Sequence, residues 1–179
     1  LNNLEYLQLC IKSIRKNSKF NHEIIVHNNG DTEPTSEYLK ANEIVYSKSK
    51  YNAGICEGVN LGAKKSSTNY IVYAHDDFYF LPGWDTAFVQ EINNLKDNLF
   101  YLSGTMVQNG QVNFNCGETI SEFNEDKLLK NNQNIIYHDF QGSTWAPHII
   151  HRDIWRKVGG FSEEFFPGTG SDPDLNMKL

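Results

Sequence analysis

The stretch Tyr70-Ile-Val-Tyr-Ala-His-Asp-Asp-Phe78 constrains the fold more than any other part of the sequence. Its first five residues form a short apolar run, which is typical of a buried strand. The run leads into two consecutive carboxylates, Asp76 and Asp77. In open α/β sheets, ligands bind beyond the carboxyl ends of the strands. The stretch therefore predicts a strand that delivers acidic side chains to a ligand site.

The paired carboxylates Asp76 and Asp77 favour a cation. Two adjacent acids repel each other unless a metal ion or a proton offsets their charge. Oxygen ligands favour Mg²⁺ or Mn²⁺, which share their remaining positions with water and substrate phosphates. Neighbours on a regular strand point to opposite faces, so both acids can bind one ion only if the strand has already ended. The alternative is a polar loop that caps the next helix, for which Asp85 is also available.

The first half of the chain alternates between helical and extended patterns. Apolar residues at Leu4, Leu7, Cys10–Ile11 and Ile14 repeat at three- and four-residue spacing and predict an amphipathic first helix. Strands and helices then alternate, which implies crossover units and a mostly parallel sheet. After the first helix the predicted elements are strands at Glu23–Val26, Ile44–Tyr46 and Tyr70–Ala74, and helices at about 33–41 and 54–65.

The pattern changes from about residue 99. Phe100–Val107, Gln111–Cys116 and Ile135–Asp139 are predicted strands joined by short polar connections. We expect this more antiparallel half to share one sheet with the α/β half. No repeat, low-complexity tract or linker marks a boundary, so residues 1–179 are predicted to form a single domain.

Composition excludes several classes of protein. Hydrophobic residues make up 39% and charged residues 21%, as in ordinary globular proteins. The net charge is −6 with no basic block, which argues against a nucleic-acid partner. The apolar runs are too short to span a bilayer. Three widely spaced cysteines cannot all pair, and they favour reduced thiols in the cytoplasm.

A second motif is Asn52-Ala-Gly54 before a predicted helix that contains Asn60 and Gly62. A glycine where a loop enters a helix exposes backbone N–H groups, and the helix N-terminus favours an anion such as a diphosphate. The alternative is structural, with Asn52 as the N-cap and the glycines allowing close packing. Local sequence alone favours the structural alternative.

A third motif begins at Gly159-Gly160-Phe161, where aromatic residues flank a glycine-rich loop. The loop delivers Asp172 and Asp174 to the start of a predicted helix. Aspartate followed by proline is also an ordinary capping pair, and local sequence alone favours that role for Asp172. A cap position nevertheless projects a carboxylate from the end of an element, where a catalytic base also has to lie.

Taken together and in this order, these segments resemble the large inverting family of GT-A glycosyltransferases, the family 2-like enzymes that include cellulose, chitin and hyaluronan synthases. The resemblance implies a Rossmann-like α/β fold with a central mixed, mainly parallel sheet flanked by helices. The family's first strand, which precedes the Leu4 helix, and its C-terminal part are expected to be missing from this sequence. The resemblance covers the first helix (1–19), Ile24–Glu33, Asn52–Gly62, Tyr70–Asp85 and Gly159–Leu179.

The resemblance also implies a site. The donor would be a nucleotide sugar, in most members a uridine diphosphate (UDP) sugar, bound with Mn²⁺ or Mg²⁺. Asp77 falls at the chief metal ligand, Asp76 would face the ribose or donor sugar, and His75 stands where many members carry another acid. Asn28 stands at the turn that reads the nucleobase, where its amide oxygen suits a uracil N–H or its amide suits another base.

The catalytic assignment follows from the same resemblance. Asp172 is the expected general base, with Ser171 in place of the family's glutamate and Asp174 as the secondary candidate. Asn52 and Gly54 are expected to contact the donor. The reaction implied is transfer of the sugar with inversion to a glycan, lipid-linked or other hydroxyl acceptor, in bacterial polysaccharide or glycoconjugate synthesis.

This reaction is expected in the cytoplasm or at the inner face of the membrane. Two other functions stay open. One is a catalytically degenerate module that binds nucleotide or glycan, because His75, Asn28 and Ser171 depart from the commonest pattern. The other is a sugar-nucleotide nucleotidyltransferase, which calls for a glycine-rich basic signature near the N-terminus.

Overall fold

The computed structural model describes residues 3–139 and 146–179. Its strands are β1 (Ile25–Asn29), β2 (Val45–Ser49), β3 (Tyr70–Tyr73), β4 (Tyr101–Ser103) and β5 (His148–His151). Its α-helices are α1 (Leu4–Asn17), α2 (Glu33–Ala41), α3 (Gly54–Ala63), α4 (Trp84–Asn94), α5 (Glu125–Asn131), α6 (Arg152–Val158) and α7 (Ser171–Met177). Short 3₁₀ turns lie at Asn132–Asn134 and Glu163–Phe165. The helices predicted in the first half are confirmed, and none of the described helices is long and apolar enough to cross a bilayer.

The first sheet pairs β1 with β2 in parallel, and α2 supplies the crossover between them. Alternate residues of β1 face opposite sides, as the pleat requires. Val26 packs with the buried cluster of α1, α2 and Ile44. His27 faces α3, where a Cβ added to Gly58 would lie only 2.9 Å from its ring. Glycine at position 58 therefore lets α3 approach the sheet closely.

The second sheet has β5 in the centre, antiparallel to β3 on one side and to β4 on the other. The expected α/β fold class is confirmed. The expectation of one mixed, mainly parallel sheet is wrong for the described residues, because their strands form two sheets and none of them joins β1 to β3. The physical reason lies in the order of the elements. The crossover through α4 leaves β3 and β4 running in the same direction, but the returning segment β5 inserts between them.

Three predicted strands of the second half are corrected. Of Phe100–Val107 only Tyr101–Ser103 is extended, and Gln111–Cys116 and Ile135–Asp139 are not strands. In the first of these loops the side chain of Gln108 accepts from the Cys116 N–H and donates to the Gly117 carbonyl. The N–H groups of Val112 and Phe114 donate to the nearby carbonyls of Met106 and Val107, so the segment folds back as a loop. Ile135–Asp139 follows a 3₁₀ turn and leaves Ile136 81% exposed, so no sheet covers it.

The larger core fixes the start of α7 beside the second sheet. Asn60 of α3 donates to the Phe161 carbonyl and accepts from the Phe161 N–H, at 2.9 and 3.0 Å. Gly160 has φ +68°, and an added Cβ would lie 2.4 Å from the Asn60 amide oxygen, so only glycine fits there. Buried Ile71, Phe161 and Leu175 belong to one cluster, which ties β3 to α7.

Candidate active site

The two acids after β3 lie in a turn. The strand ends at Tyr73, and Asp76 and Asp77 follow in a turn with both residues exposed. Alternation along a strand therefore does not separate their side chains, and both can face one cation. Desolvation and then the charge of Asp77 raise the pKa of Asp76. The second of these causes is the mutual repulsion that a cation would relieve.

The donor atoms at this turn fit a metal that is shared with a substrate. Across residues 3–139 and 146–179, no three His, Cys, Asp or Glu side chains converge as a complete protein cage. Asp76 and Asp77 instead offer carboxylate oxygens alone. Mg²⁺ and Mn²⁺ accept such an incomplete set, because water and diphosphate oxygens fill the other positions.

His75 is held by aromatic neighbours. Its Nε2 lies 2.8 Å from the Tyr73 hydroxyl, and its ring stacks on Phe78 at 5.3 Å with an interplanar angle of 6°. Its carbonyl accepts a long hydrogen bond from the Cys10 thiol. These contacts fix the ring behind the two acids, so His75 supports the turn through packing and through its bond to Tyr73.

Asp172 lies in the first turn of α7, but it is not the cap. Gly170, with φ +89°, occupies the N-cap position instead. The Asp172 Oδ1 lies 3.0 Å from Nε2 of His148, and the Asp172 side chain is 28% exposed. Desolvation raises its pKa. A half-buried carboxylate with a raised pKa is suited to accept a proton.

Asp172 and the acidic turn lie at the same end of β3. His148 pairs with Tyr73 in the sheet register, and their rings are 5.1 Å apart. Tyr73 in turn contacts His75, which directly precedes Asp76. The charge of Asp172 contributes to raising the pKa of Tyr73, after desolvation. The structure thus places Asp172 and the turn of Asp76 and Asp77 around Tyr73, at the same end of β3.

Asp174, the secondary candidate for the base, already binds two neighbouring side chains of the protein. Its carboxylate accepts from the Ser162 hydroxyl at 2.7 Å and pairs with Lys178 at 3.1 Å. The Ser162 bond, followed by the Lys178 contacts, holds its pKa below the usual range. These contacts suit a structural role that ties α7 to the glycine-rich loop.

Asn28 is buried at the end of β1, and its amide is fully used. Its Nδ2 donates to the Thr32 carbonyl and to the Ser36 hydroxyl, at 3.1 and 2.9 Å. Its Oδ1 accepts from the N–H and the hydroxyl of Thr32. The side chain holds the turn into α2, and a nucleobase contact would have to replace these bonds.

Asn52 is engaged with the preceding turn, which sequence reasoning did not assign. Its Oδ1 accepts from the Gly54 N–H and from Nδ2 of Asn29, both at 3.0 Å. The Asn29 Oδ1 accepts from the Ala53 N–H at 2.7 Å. Two N–H groups expected to face a diphosphate are therefore already bonded to asparagine side chains. The adjacent pair Asn28-Asn29 after the first predicted strand is the sequence signal for this contact.

Gly54 has a packing role. Its φ is +76°, and an added Cβ would lie 2.9 Å from the Phe166 ring. The next N–H, that of Ile55, donates to the Pro167 carbonyl at 2.8 Å. The N-terminus of α3 is therefore joined to the loop that leads to Asp172, which supports the structural alternative for this motif.

Two cavities lie at opposite ends of the first sheet. One of about 280 Å³ adjoins the carboxyl end of β1 and is lined by Asn29, Asn52, Ile55 and Thr169 among others. The other, of about 440 Å³, lies at the amino ends of β1 and β2 beside Phe20 and Ile44. The smaller cavity is at the end of the sheet where α/β proteins bind ligands.

Known proteins share this sequence pattern and fold. Residues 1–159 match the model of the family described as Glycosyl transferase family 2. An uncharacterized glycosyltransferase of Rickettsia bellii (strain RML369-C) is 30% identical over 110 residues, which are 60% of this chain and 16% of that protein.

The crystal structure of S. aureus TarS 1-349 superposes with a TM-score of 0.69 at 15% identity, and it covers 99% of this chain. The chain spans 52% of that structure, so the likeness supports the GT-A fold and not a particular substrate. The family match covers most of the chain and includes Asn28, Asn52, Gly54, Asp76 and Asp77, whereas Asp172 and Asp174 lie beyond its last residue. This chain belongs to glycosyl transferase family 2.

Proposed function

We propose that this chain carries the donor site and the catalytic base of an inverting glycosyltransferase. The donor substrate is a nucleoside diphosphate sugar, for which we favour a UDP sugar. The acceptor is a hydroxyl of a glycan, a lipid-linked saccharide or another alcohol. The observation that carries the proposal is Asp172, a half-buried carboxylate with a raised pKa, at the same end of β3 as Asp76 and Asp77.

The proposed reaction is a single displacement. The acceptor oxygen bonds to the anomeric carbon, the bond from that carbon to the diphosphate oxygen breaks, and the nucleoside diphosphate leaves. Asp172 takes the proton of the acceptor hydroxyl as the oxygen attacks. Because attack comes from the face opposite the leaving group, the anomeric configuration inverts and no covalent intermediate with the protein forms.

Asp77 and Asp76 would hold Mn²⁺ or Mg²⁺. When bound, such an ion stabilises the negative charge that grows on the departing diphosphate. The two carboxylates would hold the ion beside the diphosphate, and His75 and Phe78 support the turn that carries them. Asp77 is the proposed chief ligand, and Asp76 would also contact the ribose or the donor sugar.

The cellular setting is proposed on the chemistry of the substrates. A nucleotide sugar and a hydroxyl acceptor are consistent with bacterial polysaccharide or glycoconjugate synthesis, in the cytoplasm or at the inner face of the membrane. The Rickettsia relative and the S. aureus neighbour are both bacterial proteins.

A binding module without transferase activity is the second candidate. The observation that favours it is that Asn28, Asn52 and the N–H groups of 53–55 are bonded within the protein. Such a module would bind a nucleotide sugar without consuming it. A nucleotidyltransferase would instead release pyrophosphate from a nucleoside triphosphate, and an assay for pyrophosphate distinguishes it.

A thermal-shift screen tests the proposal first. The protein is heated with a panel of nucleotide sugars, with and without Mn²⁺. A ligand at a hundredfold excess over its dissociation constant adds about 2.7 kcal/mol to the free energy of unfolding. We expect a shift with UDP sugars that depends on the metal, and no shift with any nucleotide sugar would contradict the proposal.

A further inference from the structure

The carboxylate of Asp172 is held by a side chain from the central strand of the second sheet. His148 of β5 places its Nε2 3.0 Å from Oδ1 of Asp172. β5 is hydrogen-bonded on both sides, to β3 and to β4. A residue in such a strand has a fixed backbone position, whereas Asp172 follows a glycine-rich loop.

Aromatic rings hold His148 itself. The ring of Tyr101 lies 4.6 Å away, that of Tyr73 5.1 Å and that of Phe161 6.2 Å, and His148 is 2% exposed. Burial lowers the pKa of His148 to about 3, with the charge of His75 as the second cause. The imidazole is therefore neutral near pH 7, and a neutral ring beside a carboxylate donates its N–H.

We propose that His148 is a positioning residue, which donates from Nε2 to Oδ1 of Asp172 and so keeps the carboxylate facing the acceptor. The inference rests on the role proposed above for Asp172. With Oδ1 bound to a fixed donor, Oδ2 is left to take the proton of the acceptor. A misplacement of about 1 Å in such a group can cost about 100-fold in rate.

The other groups that face Asp172 do not replace this donor. Among the described residues, His148 is the only one whose side chain lies within hydrogen-bond distance of the carboxylate. The titratable groups around Asp172 are Tyr73, Tyr101, Cys56, His75 and His148. Desolvation raises the pKa of the two tyrosines and of the cysteine, so these three groups stay neutral near pH 7. The charge of His75 favours the ionised form of Asp172.

Carboxyl-carbon NMR of Asp172 tests the inference without any ligand. His148→Phe keeps a ring but removes the donor, so the ionised carboxylate loses its bond while burial remains. We expect the pKa of Asp172 to rise by roughly one unit. His148→Gln returns an amide donor near the same place and should restore most of the wild-type value. An unchanged Asp172 pKa in folded His148→Phe overturns the inference.

Tyr101→Phe is the matched control. Its hydroxyl is buried without a hydrogen-bond partner among the described residues, and the change keeps the ring that packs on His148. We expect it to leave the pKa of Asp172 and the turnover rate unchanged. A rise as large as that of His148→Phe would show that loss of a nearby polar group, and not of the imidazole N–H in particular, raises the pKa, which also overturns the inference.

Imidazole-nitrogen NMR of the wild-type protein keeps the inference testable if a His148 variant does not fold. The expected signature is a neutral ring protonated on Nε2 between about pH 5 and pH 8. A ring protonated on Nδ1 alone would contradict the proposed bond. Because neither measurement uses a donor sugar, a protein that transfers no sugar refutes the proposed function while the result for His148 can still be read.

Kinetics then measure the consequence, with the nucleotide sugar that gives the largest thermal shift as the probe. His148→Phe should lower kcat about 100-fold with little change in the KM of the donor, because positioning acts on proton transfer. The acid limb of the pH profile should move to higher pH. Equal losses in His148→Phe and His148→Gln would indicate a structural role alone and overturn the inference.

Discussion

The end of β3 and the N-terminus of α3 both present polar groups at the ligand side of the fold, but they differ in how those groups are used. At the end of β3, the exposed carboxylates of Asp76 and Asp77 have no cation paired with them anywhere in the described ranges. At α3, Asn52 and the N–H of Gly54 are bonded to each other. We infer that uncompensated charge marks the reactive site, whereas satisfied hydrogen bonds mark the frame around it.

The largest effect is expected for Asp172→Asn. Asparagine keeps the shape and can still accept from His148, but it is a far poorer proton acceptor. We expect transfer to fall by about 10²–10⁴-fold, with melting temperature and donor affinity close to wild type. Steady-state kinetics with calorimetry of donor binding measure both. Wild-type turnover would place the base elsewhere, and the occupied carboxylate of Asp174 would be the next to test.

The second effect concerns the metal. In Asp77→Asn, or with a chelator, the diphosphate loses the cation that links it to the protein, so nucleotide affinity should fall sharply, by at least about 10-fold. Asp76→Asn should have a smaller effect, because one carboxylate remains at the chief ligand position. Calorimetry with and without Mn²⁺ gives these affinities. Equal nucleotide affinities with and without Mn²⁺ would contradict the proposed role of the metal in donor binding.

The third pair of changes probes Asn28 and Gly54, whose contacts within the protein hold the turns at the start of α2 and α3. Asn28→Ala removes a buried amide with four hydrogen bonds and should lower the free energy of unfolding by about 1–3 kcal/mol. Gly54→Ala should cost at least about 1 kcal/mol, since its φ is positive and its Cβ meets Phe166. Denaturant unfolding measures both changes, and Gly30→Ala, also at positive φ but with no atom near the added Cβ, separates strain from contact.

Asn28 also carries the sequence-based prediction of a nucleobase contact. If Asn28 reads the base, folded Asn28→Ala should lose its preference among uridine, guanosine and cytidine diphosphates. If it only holds the turn, the ratio of the three affinities should stay the same while stability falls. Calorimetry on the folded variant separates the two roles.

The smallest effect is a pH dependence of stability at Asp172. Desolvation raises the pKa of this carboxyl in the folded state. A group with a raised folded pKa favours the folded state below its unfolded value, of about 3.9, and loses that contribution as the pH rises through the folded value. Asp172→Asn should therefore become relatively more stable from acid to neutral pH. Unfolding curves at several pH values test the sign, and the opposite trend would contradict the raised pKa.

Local patterns in the sequence were enough to predict the first half of the fold. The helix at Glu33–Ala41 matches its prediction, because its proline at the start and its apolar spacing are local signals. The separation into two sheets depends on where β5 returns. Gln111–Cys116 is a loop because its N–H groups bond to the side chain of Gln108 and to the nearby carbonyls of Met106 and Val107. Neither the position of β5 nor these loop contacts can be recognised from the local sequence.

The candidate site also contains residues that the local sequence predicts and one that it does not. Asp76, Asp77 and Asp172 carry charge in short recognisable motifs, and the fold brings the elements that bear them together at one end of β3. His148 has no such motif, since a histidine inside a strand can face either side. Its contact with Asp172 depends on the register between β5 and β3 and on the position of α7, which only the folded chain defines.

The stereochemistry of the reaction tests the central claim most directly. Water can replace the unidentified acceptor, so the protein is given a UDP sugar of α configuration with Mn²⁺, and proton NMR follows the first sugar released. A direct displacement assisted by Asp172 predicts the β anomer before mutarotation, and it predicts that Asp172→Asn releases almost none. Release of the α anomer first would mean retention of configuration and would contradict the account.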